Sequence, residues 1–230
     1  MEDILYNPVF NALQSGDKHL GFGTDRVRCF DEEVSPFVGF ETGNSTGFQE
    51  LYDLLPPGRR ILYATPTQIS EPAGWEFRAR ISGLQFIFPE GLIPAIPAIT
   101  PVPLNESHVQ EMIQLTALTK PGPFDKRTIE FGHYHGIFEN GRLAAMTGQR
   151  MHVYTNTEIS AVCTHPDFLG KGYAAALLLH QLHLILSQNQ QPFLHVRDDN
   201  SRAIALYERL GFKVNRPMNF YFMKKRDDKK

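Results

Sequence analysis

Gly170 and Gly172 stand where an extended run gives way to a helix, a place where backbone groups can hold an anion. With no Cβ they let the chain turn sharply and come close to a ligand. The helix beyond them opens with unpaired amide donors and the positive end of its dipole, which suits a phosphate group. Glycines at such a junction serve plain turn geometry just as readily. Two familiar phosphate motifs fit poorly. Gly170-Lys171-Gly172 lacks the GxxxxGK[ST] spacing of a P-loop. Gly170, Gly172 and Ala175 match a loose GxGxx[GA], but Pro166 to Leu169 separate them from the strand. No acidic residue stands about 20 positions on to bind a ribose.

Other chemistry-bearing groups are sparser. Cys163 and His165 fall on one face of the extended run, which permits a thiol nucleophile or a small apolar filler. His133 and His135 share a strand face, but no third ligand accompanies them, so no metal site is expected. His180 and His183 lie one turn apart on the polar side of the helix and read as solvated.

These groups need a scaffold. Glu158 to Thr164 alternates small and β-branched residues, as a buried strand does, and Pro166-Asp167 ends it. From Tyr173 onward Ala174, Leu177, Leu178, Leu182, Ile185 and Leu186 recur at helical spacing. Upstream, residues 1 to 88 read as β-rich with one helix. Short strands are expected at His19 to Gly23, Val27 to Phe30, Phe37 to Phe40, Ile61 to Ala64 and Phe77 to Phe88, with a helix at Phe48 to Leu55. Residues 89 to 103, rich in proline, read as an extended connector, and a domain boundary is placed there. The two parts are 1–98 and 99–227.

The second part opens with a helix near Glu106 to Leu118 capped by Asn105, then a short helical piece near Asp125 to Phe131. Asn140-Gly141 between two apolar runs marks a hairpin. Pro192 to Arg197 reads as a strand, and Asp198 to Ser201 caps a helix stopped by Gly211. Residues 212 to 224 alternate like a closing pair of strands, and Lys224 to Lys230 like a solvated tail.

Composition narrows the function classes. With 42% hydrophobic and 21% charged residues the chain is an ordinary globular protein. A net charge of −2 offers no bulk attraction to nucleic acid or an anionic membrane. Cys29 and Cys163 form neither a disulfide framework nor a CxxC site. The acidic start and the lack of a long apolar run give neither a signal peptide nor a membrane span. A cytoplasmic monomer or homodimer is the expectation.

Two stretches together resemble the GNAT acyltransferase superfamily. Leu169-Gly170-Lys171-Gly172-Tyr173-Ala174 is set against the family's [QR]xxGx[GA], and Asn200 to Phe212 is similar to its Nxx[AS]xxxYxxxGF. The first departs from the pattern, because Leu169 stands where the family has Arg or Gln. A cradle built of backbone amides keeps its chemistry with Leu there. The resemblance covers about residues 100 to 225. It implies an α/β fold with a mixed central sheet flanked by helices. The order of elements is also similar to the tandem branch that includes glycine N-acyltransferases, which implies a smaller degenerate GNAT-like N-terminal half.

The resemblance also implies roles. Acetyl-coenzyme A is the co-substrate, and no metal is implied. Its pyrophosphate would lie on the backbone of Leu169, Gly170, Lys171, Gly172, Tyr173 and Ala174, and its pantetheine arm along Val162, Cys163 and Thr164. Asn200 would meet the pantetheine amides or act only as a helix cap. Ala203 and Leu206 belong to the same contact. Lys171 or Arg202 would meet a phosphate or remain surface cations. Tyr207, two turns after Asn200, matches the general acid, and Glu158 the base, its pKa raised by partial burial. The implied reaction is acetylation of a primary amine on a small or amino-acid-like molecule. A non-catalytic acyl-CoA-binding module and a protein lysine acetyltransferase are the alternatives. Phe124, Phe131 and Tyr134 are candidate pocket walls.

Overall fold

Alternating apolar runs joined by helices must build a sheet that is covered on both faces. A computed structural model of the protein describes residues 3–226. Its strands are β1 (Gly21–Gly23), β2 (Val27–Phe30), β3 (Phe37–Phe40), β4 (Arg60–Thr65), β5 (Trp75–Ile87), β6 (Val102–Pro103), β7 (His135–Glu139), β8 (Arg142–Val153), β9 (Asn156–Thr164), β10 (Gln191–Arg197) and β11 (Lys213–Lys225). Among the described residues they form one sheet in the order β1-β2-β3-β4-β11-β5-β10-β9-β8-β7-β6. The helices are α1 (Pro8–Gln14), α2 (Gly47–Leu54), α3 (Val109–Thr119), α4 (Tyr173–Ser187) and α5 (Ser201–Arg209). This is the mixed sheet flanked by helices that the resemblance implied.

The two parts of the chain are interleaved at the centre of the sheet. β5, from the first part, pairs with β10, and β11, from the end of the chain, lies between β4 and β5. Each part contains a parallel pair of strands joined by a helix: β3 and β4 around α2, and β9 and β10 around α4. Phe86, Phe88, Leu178, Leu182, Leu194 and Phe212 pack α4 and α5 onto one face. On the other, Val9, Leu13, Phe30, Phe37, Met112 and Phe193 join α1 and α3 to strands of both parts.

Three expectations change. Residues 213–225 are one long strand rather than a closing pair, because β4 and β5 already offer antiparallel partners on both flanks. The first part has a second helix, α1, whose single apolar patch is too short to register as a period; Pro8 opens it. Lys224 and Lys225 are not tail. Lys225 is buried and its Nζ donates to the carbonyls of Tyr52 and Leu55, closing the end of α2. Residues 227–230 of the expected tail lie outside the described residues. Among the described residues no helix is long and apolar enough to cross a membrane.

Candidate active site

β9 and β10 pair only over their first residues, Asn156–Glu158 with Gln191–Phe193. Beyond Glu158 they diverge, and the unpaired edge of β9 borders a cavity of about 1650 Å³. A β-bulge sharpens this edge. Met146 pairs with Cys163 and Gly148 with Ser160, so Thr147 faces both Ala161 and Val162. Ala161 takes φ +53° to make the extra step. No glycine or asparagine marks the spot, so nothing in the sequence announced it. Thr164 Oγ1, on the same edge, is buried without a partner among the described residues.

The glycine loop closes one end of the cavity. Gly170 and Gly172 have φ +82° and +80°, and a Cβ at either would meet nothing within 4 Å. Their positions are therefore demanded by backbone conformation, with open space in front. Gly172 caps α4, so the first amides of that helix face the cavity, which the backbone from Leu169 to Ala174 also lines. Lys171 does not reach into this space freely. Its Nζ donates to Glu139, which also accepts from the Tyr173 hydroxyl. Those two bonds hold the Glu139 carboxyl below its usual range. Arg202 lines the cavity as well.

α5 supplies the second wall. Asn200 Oδ1 accepts from the Ala203 amide at 3.2 Å, a helix cap, and the residue also lines the cavity. Ala203, Leu206 and Tyr207 line the same side. Tyr207 is 6% exposed, yet its hydroxyl has no hydrogen-bond partner among the described residues. Burial pushes its pKa up to about 12, so it keeps its proton at neutral pH.

At the fork of β9 and β10, Glu158 is 1% exposed. Arg150 from β8 grips it with Nε at 2.8 Å from Oε2 and Nη2 at 2.9 Å from Oε1. His195 Nδ1 lies 2.8 Å from Oε1. Gln85, from β5, donates to the Leu5 carbonyl and accepts from Asn215, which orients its amide so that Nε2 donates to His195 Nε2 at 3.0 Å. His195 is thereby left with its proton on Nδ1, toward Glu158. Burial alone would raise the Glu158 pKa, but the Arg150 guanidinium and the hydrogen bonds from Arg150 and His195 outweigh it, and the pKa falls to about 2. The expected rise toward neutrality is reversed, because the sequence did not reveal these partners.

A family model described as FR47-like protein matches residues 134–221. A crystal structure from Novosphingobium aromaticivorans, described as an acetyltransferase of the GNAT family, aligns with TM-score 0.91 and 32% identity, covering 98% of this chain and 100% of that one. The chain belongs to the GNAT family. Two more distant GCN5-related N-acetyltransferases share the fold: one from Kribbella flavida (TM-score 0.58, 15% identity, 94% of each chain) and one from Sphaerobacter thermophilus (TM-score 0.54, 14% identity, 87% of this chain and 77% of that one). No curated protein sequence matches the chain significantly.

Within this family scaffold the remaining candidates separate cleanly. Cys163 lines the cavity, but burial pushes its thiol up to about 12, which suits a filler and not a nucleophile. His165 turns away toward Arg142 and the Asp167 amide. His133 is not on a strand with His135; it precedes β7 with φ +54°. His180 is not simply solvated, since its ring lies 4.3 Å from that of His135 and its Nε2 is buried. Among the described residues no group of three or more His, Cys, Asp or Glu could hold a metal. Phe124 lines the cavity, whereas Phe131 and Tyr134 are core.

Proposed function

We propose that the protein is an N-acetyltransferase that moves an acetyl group from acetyl-coenzyme A to the primary amine of a small acceptor. The observation that carries this is the Tyr207 hydroxyl, without a partner among the described residues at the end of a buried side chain that lines the same cavity as the open edge of β9. The residues present suit the co-substrate. Open space before Gly170 and Gly172, the first amides of α4 and the unpaired edge at Val162 to Thr164 match a pyrophosphate followed by an amide-bearing arm. The thioester supplies the activated acyl carbon. The acceptor nitrogen bonds to that carbon as the carbon–sulfur bond breaks, and Tyr207 gives its proton to the leaving thiolate.

Glu158 acts in this reading as a fixed anion. A carboxyl with a pKa of about 2 cannot store the proton of an ammonium, so it orients a water that carries the proton outward. A cavity of about 1650 Å³ exceeds what one drug-sized ligand fills, which leaves room for donor and acceptor together. We place the catalytic half at 99–227, after a degenerate GNAT-like half at 1–98. The repeated strand–helix–strand unit in each part supports this and the tandem branch.

The three hydrogen bonds that Arg150 and His195 make to Glu158 favour a second reading, a non-catalytic acyl-CoA-binding module. Calorimetric titration with acetyl-coenzyme A and free coenzyme A, followed by an amine screen for thiol release, tests both. Binding with thiol release supports the transferase, and binding without it across a broad screen supports the module. Absence of binding removes both.

A further inference from the structure

Part of the cavity wall is an apolar face built by the first part of the chain together with β11. The strands β3, β4, β11 and β5 lie side by side in the sheet. Phe37 is the register partner of Leu62, Leu62 that of Phe222, and Ile81 that of Phe220. Directly paired residues share a face, and so do residues two apart on one strand. Phe37, Leu62, Phe222, Phe220 and Ile81 therefore belong to one surface across four strands, and all five line the cavity. Phe37 and Leu62 are buried, whereas Phe220, Phe222 and Ile81 are only half-buried. Phe124, from the connection after α3, lines the same cavity and is also half-buried. Partly open apolar side chains in a concave site gain when a ligand of like character covers them.

This face abuts the candidate reaction centre at two points. The Arg150 guanidinium lies 4.8 Å from the centre of the Phe37 ring. The Phe220 and His195 rings meet edge to face, 5.5 Å between centroids. Arg150 and His195 are the side chains that hold Glu158. An amine brought to Glu158 thus has the phenylalanine face beside it.

We propose that the acceptor is a primary amine carrying an aromatic ring, which lies on the face formed by Phe220, Phe222 and Ile81. Apolar area alone suits an alkyl chain as well as a ring. Three of the four half-buried residues here are phenylalanines, and ring pairs gain offset or edge-to-face attraction beyond their area. The saturated stem of a lysine side chain covers area only. A polyamine has to strip water from a second ammonium against this face, with no carboxylate on it to pair the charge. The inference rests on the reading that an amine is acylated in this cavity.

The test is calorimetric titration of the coenzyme A-saturated protein with 2-phenylethylamine, with n-butylamine as the lysine stem and with 1,4-diaminobutane. The aryl amine binds about tenfold more tightly than n-butylamine, from its larger apolar area and its ring geometry. The diamine binds about tenfold more weakly than n-butylamine. In Phe222→Ala the preference for the ring narrows to about threefold or less, while coenzyme A affinity stays within about threefold of wild type and shows that the variant is folded. Phe124→Ala, outside the sheet, narrows it in the same direction and decides the matter where Phe222→Ala does not fold. Equal binding of the aryl and butyl amines, tighter binding of the diamine, or binding of none overturns the proposal. So does a ring preference that both variants keep, which places the ring elsewhere. Failure of wild type to bind coenzyme A is the separate failure of the acyl-transfer reading, and the same titrations without coenzyme A then still decide what the face holds.

Discussion

His195 Nδ1 lies 2.8 Å from Glu158 Oε1, and the opposite flank of that carboxylate is held by both nitrogens of the Arg150 fork. The three side chains come from β10, β9 and β8, and Gln85 of β5 fixes the histidine from behind. The junction of the sheet and the candidate reaction centre are therefore the same place. Damage to one is felt by the other, and the two effects need separate measurement.

The pH dependence of stability isolates this network. The Glu158 pKa falls from 4.5 to about 2 on folding. A lowered folded value means that its contribution is fully present above the unfolded pKa and is lost as pH falls from about 4.5 toward 2. Urea midpoints across that range should decline for the wild type and decline less for Glu158→Gln. A variant with an unchanged slope would show that other carboxylates govern acid unfolding.

Glu158→Gln leaves the Arg150 charge buried and unpaired, which costs about 3–5 kcal/mol. Replacing both partners, R150M/E158Q, removes the stranded charge and should recover most of that loss. If Glu158 orients the water that carries the proton, the repaired double variant is stable, binds coenzyme A and turns over slowly. Turnover at the wild-type rate would make the pair purely structural.

The substitution Tyr207→Phe removes one hydroxyl that bonds to no described protein group, so stability should move little. As general acid its loss lowers kcat by about 10²–10⁴. Coenzyme A affinity should stay within about threefold. An unaltered kcat would reduce Tyr207 to a wall of the cavity.

What could be read beforehand was local. The glycine loop, the Asn200 cap and the spacing to Tyr207 are set within a few turns of chain, and short-range chemistry suffices to find them. Arg150, His195 and Gln85 become partners of Glu158 only through pairing between strands far apart in sequence, which no local pattern records. The same limit explains β11. Residues 212 to 224 read as a closing pair of strands in isolation, but strands on both flanks hold the segment as one, with a bulge absorbed between Val214 and Arg216. The Ala161 bulge is likewise imposed by its β8 partner.

Cys163 tests the direct-transfer chemistry against a covalent acyl-thiol route. Its thiol is 6% exposed and raised to about 12, so little thiolate exists at neutral pH. Alkylation by iodoacetamide should be slow near pH 8 and accelerate only under denaturant. Cys163→Ala should keep turnover within about threefold, its cost appearing as roughly 1 kcal/mol of stability from the lost side-chain packing. Accumulation of an acylated enzyme in wild type, absent in the variant, would reverse the assignment and make the strand edge itself the nucleophile's seat.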